Sequence, residues 1–180
     1  MAGIWTDNWR AFRNVMLMGS MHDNLTTIHK TDGTTTGTRY GDNLSATSPL
    51  GIYTMDLAGN YAGCTIRLGT GNRTPLATDY NLETTAPVSY LSLVEAAPVY
   101  DDQAGSVSRL VTVSIQNQGA NPVVIREWGI YGVVRTQVYA STSVATALLY
   151  REVLDTPVTL TQYQAATMEV TLRLTLTDPV

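Results

Sequence analysis

Between Met168 and Thr177 the chain alternates without interruption, with Met168, Val170, Leu172, Leu174 and Leu176 set against Glu169, Thr171, Arg173, Thr175 and Thr177. A period of two is the side-chain period of a β-strand, so the apolar residues leave on one face and the charged and hydroxyl residues on the other. A one-residue slip would expose every apolar side chain of the set, each worth about 1.5–3 kcal/mol when buried, so the register is strongly specified. A strand of this kind commits the chain to a sheet with one apolar face.

Shorter segments upstream repeat the theme. Cys64 to Leu68, Val88 to Val94, Val107 to Ile115, Val123 to Val134, Ala147 to Leu154 and Pro157 to Thr161 are rich in Val, Ile, Thr and Tyr, and turn residues separate them. Threonine makes up about one residue in seven, and branched side chains of this sort pack well on pleated surfaces. Asn117 to Pro122 reads as a turn. Gly129, inside a strand-like run beside Trp128, points to a bulge or to a close approach of another backbone. Parallel sheets need crossover helices, for which there is no room, so the strands are expected to be antiparallel.

Helical spacing occurs only near the N-terminus. Trp5, Trp9, Phe12 and Met16 fall on one side of a helix that Thr6 or Asp7 would cap and Gly19 would end. This aromatic stripe either docks on the protein's own sheet or reaches a neighbouring subunit. The second reading makes Trp5, Trp9, Phe12 and Met16, flanked by Arg10 and Arg13, the candidate protein-interface residues, because aromatics and arginine are the usual interface anchors. From Ser20 to Gly51 the chain is polar; it reads as a hairpin turning at Asp32-Gly33 or as a long surface loop. The expected fold is all-β, an antiparallel β-sandwich or jelly roll with a short N-terminal helix or arm. Residues 1–60 would form the helix and extended polar arm, and residues 61–180 the β-domain.

Charge and composition exclude several partners. A net charge of −4 in 180 residues, with no basic cluster, argues against a nucleic-acid partner, which needs a positive footprint. No stretch of about 18 apolar residues is present to span a bilayer. No leader precedes the mixed segment Trp5 to Arg13, so synthesis in a cytoplasm is expected. All basic residues but Lys30 are arginines, a bias that suits protein contacts as well as it suits codon usage.

The residues that carry chemistry do not fall into a catalytic pattern. Cys64 is the single cysteine, and His22 and His29 are seven apart in a polar segment, which fits neither a thiol–imidazole pair nor a metal helix. Asp101 and Asp102 are adjacent and so point apart on a strand. No Gly-x-Ser-x-Gly elbow occurs. The stretch Leu68-Gly-Thr-Gly-Asn-Arg-Thr-Pro75 looks like a phosphate loop but lacks both the third glycine and the Gly-Lys-Ser/Thr ending, and Pro75 removes an amide donor. Its glycines are expected to supply left-handed or strained angles where the chain leaves a strand. Asp79 and Glu83 are expected to bind backbone donors or a neighbour's arginine. No catalytic residue, metal ligand or cofactor site is expected, and the chain is read as a non-enzyme.

Four segments in order carry a resemblance: Gly69-Thr-Gly71 with Thr74-Pro75 and Thr78-Asp-Tyr-Asn-Leu-Glu83, then Arg126-Glu-Trp-Gly-Ile130, then Leu148-Leu-Tyr-Arg-Glu-Val-Leu154, then Pro157-Val158 and the final strand. This series, from Thr65 to Leu176, resembles small β-rich structural proteins of tailed bacteriophages. The resemblance implies a virion component, made in the host cytoplasm, that acts by protein–protein adhesion. The leading expectation is an oligomeric capsid decoration or stabilising protein that associates with itself, as a trimer or about another cyclic axis, and with the major capsid protein or other virion proteins. A tail, collar or fibre-associated protein is the alternative. A carbohydrate-binding module with Tyr40, Tyr53 or Tyr61 as stacking platforms is the alternative from another class.

Overall fold

The computed structural model describes residues 3–11, 26–38, 64–97, 99–138 and 141–175. The strands, in chain order, are β1 (Ile4–Trp5), β2 (Thr26–His29), β3 (Thr35–Thr38), β4 (Cys64–Gly69), β5 (Ser89–Glu95), β6 (Val99–Asp101), β7 (Ser106–Gln116), β8 (Val123–Val138), β9 (Ser141–Leu160) and β10 (Ala165–Thr175). Every strand pairing whose register is described is antiparallel, as the sequence predicts. The chain groups into two compact units: Met1–Ala86 with Val124–Thr159, and Pro87–Val123 with Leu160–Val180. The boundary expected near residue 60 lies outside the described residues.

The first unit holds a four-stranded sheet in the order β1-β9-β8-β4 and the hairpin β2-β3. Of the two readings of this segment, the hairpin turning at Asp32-Gly33 is the one observed. Gly33 adopts φ 81, a left-handed angle that an L side chain resists, while Asp32 accepts hydrogen bonds from the N–H and hydroxyl of Thr34 at 2.8 and 2.6 Å. Ile28, fully buried, packs with Ala147, Trp9 and Ala11. A second cluster joins Leu82, Tyr131 and Leu148.

Two expectations for this unit change. Trp5 does not belong to a helix: it pairs with Tyr150 in β9, and among the described residues helix is found at 7–11, after which the expected helix passes outside them. The Trp5–Trp9 spacing is met in space all the same, because the chain turns sharply after Thr6, whose carbonyl accepts the Trp9 and Arg10 amides at 3.1 and 3.3 Å. The segments expected at Ala147 to Leu154 and Pro157 to Thr161 are one 20-residue strand, β9. Pro157 is exposed and its fixed φ is tolerated in extended chain, so it forces no break.

In the second unit β7 is central, with β10 on one side and β5 and β6 on the other. Val111, Val113 and Ile115 of β7 are buried, and across the register they face Val170, Met168 and Ala166 of β10. This is the predicted alternation, in the predicted phase. At one end, buried Asn117 ties two turns together. Its side-chain amide donates to the carbonyls of Asn121 and Leu160 at 2.8 and 3.0 Å, and its own backbone carbonyl accepts the Tyr163 amide at 2.7 Å. Tyr163 is held at φ 59, a left-handed angle uncommon outside glycine, asparagine and aspartate.

Candidate functional site

The glycine loop does gather anions, but they belong to the protein itself. The ends of the loop are zipped together: Thr70 donates to the Thr84 carbonyl at 2.8 Å and Ala86 to the Leu68 carbonyl at 2.8 Å. Between them the amides of Asn72 and Arg73 both donate to Glu83 Oε2 at 2.9 Å, and those of Gly71 and Thr84 to Glu127 Oε1 at 3.2 and 3.1 Å. Two carboxylates thus occupy the positions where an external anion would be read.

Arg151 sits behind them, fully buried on β9. Its Nε donates to Glu127 Oε2 at 2.7 Å, Nη1 to Asp79 Oδ2 at 2.6 Å and Nη2 to the Arg73 carbonyl at 3.1 Å. Asp79 also accepts from Arg73 Nη2 at 2.6 Å and from the Leu76 amide at 2.9 Å. A guanidinium presents donors in a rigid planar fork, and here the fork is shared between two acids and a carbonyl. Burial raises the Asp79 carboxyl, but the bonds from Leu76, Arg73 and Arg151 outweigh it and leave the group below its usual pKa. Glu83 is lowered by the Arg73 amide first, then by Asn72 and the two arginines. For Arg151, burial favours the neutral form, yet hydrogen bonds and charge from Asp79 and Glu127 hold it above its usual value. Among the described residues no buried side-chain polar atom lacks a partner.

Gly69 and Gly71 are required by this arrangement, for a reason other than the expected one. Neither has a positive φ. A Cβ on Gly69 would stand 2.5 Å from Glu127 Oε1, and one on Gly71 would stand 2.4 Å from the Glu83 Cβ and 2.6 Å from Glu127 Oε1. The glycines are there to let carboxylates approach the backbone. Gly129 serves likewise, since a Cβ there would meet Leu148 Cδ1 at 2.7 Å and the Tyr150 carbonyl at 2.9 Å, the close backbone approach that the sequence predicts.

Successive strand residues leave on opposite faces, so the pairs Glu127–Arg151 and Trp128–Tyr150 lie on opposite sides of the β8–β9 ribbon. On the aromatic side Trp128 and Tyr150 are 5.0 Å apart, Tyr150 and Trp5 are 5.0 Å apart edge-on, and Trp5 and Trp9 are 4.8 Å apart. Tyr150 donates to Glu152 Oε2 at 2.6 Å; burial first, and that bond second, push its hydroxyl pKa upward. Trp5, 38% exposed, is the outermost ring.

Of the residues predicted from the sequence, Trp5 and Trp9 therefore come together. Trp9 also packs against the protein's own Ile28–Ala147 cluster, which is the docking alternative for that side chain. Arg10 lies on the surface and pairs with Asp7 at 3.3 Å. Phe12, Arg13 and Met16 lie outside the described residues, as do Tyr40, Tyr53 and Tyr61. Sequence reading missed Tyr150 as a partner of Trp5, Trp128 as the ring next to Tyr150, and Arg151 and Glu127 as partners of the loop. Their only signal was membership of the ordered short motifs. The expected arginine partner of Asp79 proves to be the chain's own.

No family model matches this chain, and the searches of curated proteins and of solved structures gave no match either.

Proposed function

We propose that this chain is a structural protein of a bacteriophage virion, an adhesive β-protein that decorates or stabilises the capsid and catalyses nothing. One observation carries the reading. The residues that resemble phage structural proteins, Gly69, Gly71, Asp79, Glu83, Glu127 and Arg151, converge on a single internally satisfied network. A motif set devoted to holding a loop suits a scaffold whose work is done by its surface. The sandwich or jelly roll expected from the sequence belongs to the same proposal.

The adhesive surface in this reading is the N-terminal aromatic ladder, with Trp5 as its exposed ring and Arg10 exposed on the helical turn that follows. Self-association about a threefold or other cyclic axis, together with contact to the major capsid protein or another virion protein, would repeat a modest interface many times over a shell and gain strength by avidity. A place on the tail, collar or fibre is the variant with fewer copies.

Trp5→Ala tests the reading more cleanly than truncation of Trp9, which packs inward. The variant should lose no more than about 1–3 kcal/mol of stability in urea unfolding, the scale of its two aromatic pairs with Trp9 and Tyr150, and lose co-sedimentation with particles. A folded variant that still binds particles like the wild type would remove the ladder from the interface. A glycan array hit abolished by the same substitution would favour the carbohydrate-binding reading.

A further inference from the structure

We infer that β10 is a self-complementary edge, built to pair antiparallel with β10 of a second copy about a two-fold axis at Thr171. This goes beyond the virion reading and does not depend on it.

β10 ends its sheet: one side pairs with β7 over all of Ala165–Thr175, and among the described residues no strand pairs with the other. Eleven residues make a long edge, about twice the usual strand length, and an open edge of unpaired amides and carbonyls templates another strand. Proteins commonly blunt such edges with charged side chains, proline or a bulge. Here the charges are Glu169 and Arg173, opposite in sign, both exposed and equidistant from exposed Thr171.

When two identical edges pair antiparallel, each residue lies opposite one whose number makes a constant sum with its own. Both copies must present the same face, so that sum is even. With the axis at Thr171, Glu169 lies opposite Arg173 twice over, Thr167 opposite Thr175, and Thr171 opposite itself. In the same register Met168 lies opposite Leu174 and Val170 opposite Leu172. Moving the axis to Val170 or Leu172 sets the charges against threonines. Moving it to Glu169 or Arg173 sets like charges against each other, which is destabilising on adjacent strands. Arg173 donates its Nε and Nη2 to Ser106 Oγ of β7 at 3.2 and 3.0 Å, on the paired side of the strand, so pairing with Glu169 of a second copy requires it to turn to the open edge. Glu169 makes no ion pair among the described residues.

The test is a charge exchange on the full chain, read by sedimentation equilibrium from about 1 to 100 µM, a range that brackets micromolar dimers. Wild type should dimerise. Glu169→Arg and Arg173→Glu should each weaken self-association by about tenfold, because every crossing becomes a like pair. An equimolar mixture of the two variants should dimerise again, since one chain then carries arginine at both positions and the other glutamate at both, so that every crossing joins opposite charges. The double exchange in one chain should dimerise as well. Monomeric wild type, single variants that associate like wild type, or a mixture no tighter than its components would each overturn the inference.

Discussion

Arg151 shows how much of this protein rests on a single side chain. A buried guanidinium is costly to desolvate and is retained only where its donors are matched, here by Glu127, Asp79 and the Arg73 carbonyl. Arg151→Met leaves two acids buried beside the loop without their cation, and should cost about 3–5 kcal/mol. Urea unfolding checks this as a fall in midpoint at unchanged slope. Gly71→Ala makes a separate case. Its φ needs no glycine, so a cost of about 1–3 kcal/mol, the range for overpacking, would come from the displaced Glu83 and Glu127 carboxylates alone. Gly119→Ala is the control. It is exposed, and its added Cβ would meet only Asn117 Oδ1 at 3.3 Å, so a smaller cost than that of Gly71→Ala is expected.

At the scale of elements, Asn8 joins pieces that the backbone does not. Its Oδ1 accepts the His29 amide at 2.8 Å, and its Nδ2 donates to the His29 carbonyl at 2.8 Å and to the Leu148 carbonyl at 3.2 Å. One side chain thus pairs with β2 as a neighbouring strand would, while also holding β9. Asn8→Leu should cost about 1–3 kcal/mol by orphaning buried groups, and amide exchange at His29 should quicken while β7 amides keep their protection. The alternating strands β7 and β10 and the Asp-Gly hairpin were readable from the sequence because their cause is local: side-chain period and turn chemistry. The helix from Trp5 was misread because a two-residue strand followed by a sharp turn places Trp5 and Trp9 as near each other as a helical repeat does. The network was hidden because its bonds span 24 residues from Glu127 to Arg151 and 72 from Asp79 to Arg151. Periodicity carries no information over such distances, and only the order of the short motifs hinted at it.

For the molecule as a whole, the lowered carboxyls set the acid limit. Asp79 and Glu83 ionise in the fold below their ordinary values of 3.8 and 4.5. Acidification therefore protonates the unfolded chain first. The stabilisation these groups give is fully present above about pH 4.5 and is lost as the pH falls through their folded values. Urea midpoints should decline below that pH in wild type, and Asp79→Asn should flatten the decline while lowering the starting stability. The two compact units divide the work in this account: the first holds the clamped loop and the aromatic ladder, the second the open edge of β10. In the proposed reading the ladder and the edge are the surfaces offered to other proteins. Electron cryomicroscopy of the intact particle, at a resolution that traces this chain and counts its copies, tests that directly. The account predicts many copies in the shell with Trp5 buried against another protein. A particle that lacks the chain, or holds it with Trp5 facing solvent, would contradict it.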